Sequence, residues 1–156
     1  MKFAFSAAIL SLVSLASATV LPRQPCPEAS RYGNLIVSNP TNATSYNPGD
    51  PINIQVDFHC AISYFDIIPQ FIDYTIQVLG NQNNGHEVPI VLARRTLAAG
   101  ATTDEFSTTI PLTFYFAGAP YNVVLTDTYP IQNTDGTGQV FIEGSVEEPI
   151  TINVSA

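Results

Sequence analysis

Apolar and polar residues alternate along much of the chain. Ile52, Ile54, Val56 and Phe58 interleave with Asn53, Gln55, Asp57 and His59. This period-two pattern marks a strand with one buried face. The same period returns at Ile72, Tyr74, Ile76 and Val78, inside Phe71 to Leu79. Shorter runs at Leu35 to Val37, Val88 to Ala93, Tyr121 to Leu125, Gln139 to Glu143 and Ile150 to Val154 read as further strands. Pro89 puts its run at a sheet edge or at a strand start. Phe106, Thr108, Ile110, Leu112 and Phe114 share one face of another run, in which Pro111 requires a bulge, an edge or a division into two. Turn-forming residues separate the runs: Asn39 to Asn42, Asn47 to Asp50, Gly80 to Gly85, Gly100 to Asp104, and the hairpin signal Asn133 to Gly138. Residues 61–70 break the alternation, with Tyr64, Phe65, Ile67, Ile68 and Phe71 crowded around Asp66 and Pro69. No window keeps a helical period.

Several short strands with regularly spaced turns predict an all-β fold. The expected architecture is an immunoglobulin-like or fibronectin-type antiparallel β-sandwich of seven to nine strands. It would span residues 33–156, after an irregular proline-containing segment over 19–32. Ala119-Pro120-Tyr121 opens a late strand, which is the place of a tyrosine corner, where the hydroxyl bonds the backbone just upstream.

Residues 1–18 read as a secretory signal peptide. Lys2 is the basic n-region, Phe3 to Leu15 the apolar h-region, and Ala16-Ser17-Ala18 the small-x-small cleavage site. The apolar run is too short to span a bilayer, and no later segment is suited to do so. The end of the chain, Pro149 to Ala156, has no hydrophobic tail of a GPI signal. Cleavage would remove Lys2, the only lysine, leaving Arg23, Arg31, Arg94 and Arg95 against all 13 acidic residues. Such a surface disfavours nucleic acid, anionic membranes and acidic polysaccharides. Export permits Cys26 and Cys60 to pair, which closes a long loop for roughly 3–4 kcal/mol on the chain-entropy model. Asn42-Ala43-Thr44 and Asn153-Val154-Ser155 are N-glycosylation sequons, with Asn42 and Asn153 as acceptors.

The order Ile36-Val37-Ser38-Asn39-Pro40, Tyr46, Asn47-Pro48-Gly49, then Ile52 to Phe58 is similar to the opening of the immunoglobulin-like domain in the fungal Ser/Thr-rich, GPI-anchored cell-wall family. That family includes yeast proteins needed for β-1,6-glucan synthesis. It commonly ends the second strand in Trp, where this chain has Phe58-His59-Cys60, and it often carries a Ser/Thr-rich stalk and a GPI signal that this chain lacks. The resemblance implies a soluble, secreted fungal wall or matrix protein. It carries over no functional residue.

Catalytic constellations are sparse. His59 and His86 are the only histidines, and neither has a partner at metal-ligand spacing. No Gly-x-Ser-x-Gly context surrounds a serine. The neighbouring acids Asp104-Glu105 and Glu147-Glu148 would point to opposite faces if they lie on strands, so a carboxylate-dependent glycosidase is the weaker alternative. Asp127, Asp135 and Glu143 flank the last hairpin and are the only grouping that suggests calcium, at a spacing that matches no standard loop. No cofactor or resident metal is expected. The candidate binding loop is residues 61–70. Tyr64, Phe65 and Phe71 would either contact a ligand or fold over the end of the core, pinned by Cys60. The expected function is that of a secreted non-enzymatic module, binding wall polysaccharide or an extracellular protein. The other alternative is a secreted effector acting on a host or competitor.

Overall fold

A computed structural model describes residues 26–41 and 45–154. The signal peptide, most of the irregular segment and the Asn42 sequon lie outside the described residues. Those described form seven strands: β1 (Asn34–Ser38), β2 (Pro51–Asp57), β3 (Phe71–Val78), β4 (Ile90–Arg95), β5 (Thr103–Thr109), β6 (Tyr121–Gln132) and β7 (Gln139–Pro149). They make two antiparallel sheets, ordered β1-β2-β5 and β4-β3-β6-β7. The chain is therefore an all-β sandwich.

The clean alternation of the sequence is the core. Ile52, Ile54, Val56 and Phe58 from β2 and its end are buried, as are Ile72, Tyr74, Ile76 and Val78 from β3. Val123 and Leu125 of β6 complete the layer between the sheets. Each such side chain, fully buried, contributes about 1.5–3 kcal/mol of hydrophobic stabilisation. Tyr121 heads β6, and its hydroxyl accepts the Phe116 N–H at 3.0 Å. This is the hydrogen bond expected of a tyrosine corner.

Five expectations are corrected. Residues 59–63 form a short helix, α1 (His59–Ser63), where no helical period was visible. Five residues are too few to show one, and the turn is held by Ile62 N–H to Phe58 O and Tyr64 N–H to Cys60 O. The run at Val88 to Ala93 pairs later, from Ile90 to Arg95, because Pro89 has no N–H to give the ladder. The shared face from Phe106 to Phe114 ends at Pro111. Beyond it Leu112 and Phe114 are 84% and 74% exposed. Tyr115 is buried instead, its hydroxyl donating to Pro111 O. Gln139 to Glu143 is part of one 11-residue strand, and Ile150 to Val154 is not a strand. There only Ile152 bridges Tyr46.

One polar cluster ties the two sheets together. Asp104 of β5 is buried and accepts the Tyr74 hydroxyl at 2.9 Å and Arg95 Nε at 2.7 Å. The Arg95 guanidinium also lies 4.9 Å from the Phe106 ring centroid. Burial and the Asp104 carboxylate together push the Tyr74 hydroxyl well above its ordinary pKa. Asp104→Ala would leave Tyr74 and Arg95 unpaired. It is expected to cost about 2 kcal/mol in urea unfolding, below the usual range for a broken buried pair because Arg95 keeps some contact with water.

Candidate functional site

The strand order gathers three connections at one end of the sandwich. These are residues 58–70 between β2 and β3, 96–102 between β4 and β5, and the β6–β7 hairpin. The Cys26–Cys60 disulfide, with Cα atoms 5.5 Å apart, fastens the segment that precedes β1 to α1 at this same end. A 3-10 turn over Glu28–Ser30 follows. It brings Arg31 over the Phe65 ring, 4.6 Å from its centroid, in the range of a cation–π contact. Arg31 also pairs with Glu28.

After α1 the chain reverses at Asp66, the one non-glycine residue with positive φ among those described, at 57°. Aspartate tolerates this left-handed region better than most residues. The reversal drops Ile67 into the core while Asp66 stays exposed. Opposite it, β6 and β7 run on past the last β3 pairing at Thr128, as a two-stranded ribbon. Between the two lies an open cleft of about 450 Å³. Arg31, Phe65, Asp66 and Ile67 form one wall, and Tyr129 to Gln132 with Gln139 form the other. The cleft thus offers a guanidinium, a carboxylate, two amides and two aromatic rings. Burial pushes the Tyr129 hydroxyl above its ordinary pKa, and the nearby Tyr32 adds to the shift.

The three aromatic residues expected in the binding loop part company. Phe65 is half-buried against the core and lines the cleft. Tyr64 does not line the cleft; it is 63% exposed and meets the lining residue Phe65 edge-on at 4.9 Å. Phe71 begins β3 on the outer face, opposite Thr128 and away from the cleft. Ile131 and Ile142 extend the inner face of the ribbon into solvent, with Val140 paired to Ile131. Sequence reasoning missed this ribbon. Its hairpin signal was visible, but the overhang past β3 depends on the length of the partner strand.

The other candidate residues scatter. Asp127 faces the core, Asp135 sits in the hairpin turn and Glu143 faces solvent, so they do not form the calcium grouping. Among the described residues no three His, Cys, Asp or Glu side chains stand together as metal ligands. Asp104 and Glu105 diverge, the second bonding Gln55 on the surface. Asn153 is exposed, and its Nδ2, the glycan acceptor atom, donates to Ser45 Oγ at 3.1 Å. Among the described residues no helix is long and apolar enough to cross a membrane. No family model, curated protein or solved structure matches the chain.

Proposed function

We propose that the chain is a secreted, non-enzymatic binding module built on an immunoglobulin-like, fibronectin-type sandwich and acting at a fungal cell wall or extracellular surface. The observation that carries this reading is the cleft between Phe65-Asp66-Ile67 and the β6–β7 ribbon, at the end where two inter-sheet connections and the β6–β7 hairpin meet. Variable immunoglobulin domains place their recognition loops on the corresponding end. The sheet orders β1-β2-β5 and β4-β3-β6-β7 and the Tyr121 hydrogen bond support the fold assignment. The disulfide supports an oxidising compartment. The polar and aromatic lining suits a neutral, hydroxyl-rich ligand better than an apolar one.

Retention of the purified protein on insoluble wall glucans and chitin tests the proposal. Tyr64→Ser combined with Ile131→Ser is expected to lower retention at least tenfold without changing the unfolding midpoint appreciably, since both side chains are exposed. Wild-type protein that fails to bind any wall polysaccharide sinks the wall assignment. Binding that the double substitution leaves intact sinks the cleft.

A further inference from the structure

Three of the four sheet edges are closed, each in a different way. β1 has five residues and runs toward Pro40. β4 follows Pro89 and carries a register shift against β3. β5 stops two residues before Pro111. Prolines, bulges and short strands keep an edge from pairing with any strand, whereas charged side chains keep it from pairing with a strand of like charge. β7 has none of them before its last residue, Pro149, and its 11 residues pair with β6 without a register shift. Alternate N–H and C=O groups along β7 therefore point away from β6.

We propose that the outer edge of β7 takes an extended cationic peptide as an added strand. Charge argues for this occupant. Arg31, Arg94 and Arg95 are each paired, with Glu28, Asp73 and Asp104. Glu143 and Glu147 are exposed on the outer face of β7 and make no ion pair among the described residues. A second copy is disfavoured, because each chain carries a net charge of −8 and three of its carboxylates, those of Glu143, Glu147 and Glu148, lie along this edge. A peptide that alternates basic and apolar residues meets both needs. Its basic side chains lie beside Glu143 and Glu147, and its apolar ones lie beside Ile142 and Val146 on the other face. This site runs along the strand and does not depend on the cleft.

The test uses a blocked nonapeptide alternating lysine and valine, titrated into the secreted protein at low salt and followed by amide NMR. Saturable shifts are expected along residues 139–147, with slowed hydrogen exchange at alternate β7 amides. Glu143→Lys with Glu147→Lys should weaken binding at least tenfold, and Tyr64→Ser should leave it unchanged. The same peptide N-methylated at the amides facing β7 keeps its charge and should also bind at least tenfold more weakly. Equal binding of the N-methylated peptide would overturn the proposal, since charge alone would then suffice. So would shifts that map elsewhere, or no saturation up to about 1 mM.

Discussion

Asp127→Asn is expected to stabilise the protein by about 4 kcal/mol above pH 7 and to change little near pH 4. The reason is an uncompensated carboxyl group. Asp127 lies on the inner face of β6, fully buried, and neither of its oxygens has a hydrogen-bond partner. Its surroundings are Ile72 on β3 and Gly144 on β7, both in register, with Tyr129 on its own strand and Tyr32 packed over Gly144. Burial pushes its pKa up from 3.8 to about 7, while the backbone N–H groups of Asp127 and Gly144 pull it partly back without forming bonds of ordinary geometry.

The sign follows from proton binding. Below about pH 4 the group is protonated in both folded and unfolded chains, and burial carries no charge penalty. Between about pH 4 and pH 7 the unfolded chain is ionised while the folded one keeps its proton. Stability therefore falls as pH rises, and levels off above the folded value. An amide at this position is neutral throughout and, like the protonated acid, is a buried polar group without a partner. Urea midpoints of the two proteins across pH 3.5 to 8.5 check this. Parallel curves would show that the carboxyl group reaches water or a partner in solution. Through this one group the fold is more secure in mildly acidic than in neutral surroundings.

Ile52, Ile54, Val56, Phe58, Ile72, Tyr74, Ile76 and Val78 could be read directly, because a half-buried strand writes its burial into alternate residues. Tyr121 was legible for a related reason: its role depends on a local hydrogen bond five residues away. Asp104 and Asp127 were not legible. Both look like turn or hairpin acids in the sequence, and only strand pairing puts Asp104 beside Tyr74 and Arg95, or Asp127 opposite Gly144. The candidate loop was located but not resolved. The αL turn at Asp66 sends Phe65 and Ile67 inward and leaves Tyr64 and Ile68 outside, a sorting that no periodicity encodes. Leu112 and Phe114 misled in the opposite sense, because Pro111 ends the ladder and the burial phase moves to Tyr115.

Gly144→Val is expected to cost about 3 kcal/mol and to loosen the end of the sandwich that holds the cleft. Gly144 needs no unusual backbone angle; what it supplies is space. A Cβ there would lie 2.5 Å from Tyr32 Cγ and closer still to Cδ1 and Cε1. The Tyr32 ring cannot stay where it is if the residue carries any side chain. Tyr32 packs at 6.3 Å from Tyr129 and sits six residues after Cys26, so evicting it frees the segment that the disulfide otherwise holds against α1. Removing glycine from a strand regains about 0.5–1 kcal/mol, which is too little to offset the lost packing. Tyr32 also covers the strand pair that encloses Asp127. Its displacement should admit water to that carboxyl group and return its pKa toward the ordinary range. The two substitutions are thus expected to be coupled. In Gly144→Val the stability should lose most of its fall between pH 4 and pH 7, and adding Asp127→Asn should gain little at pH 8. Full additivity of the two effects in a double-mutant cycle at pH 8 would mean that Tyr32 does not shield Asp127.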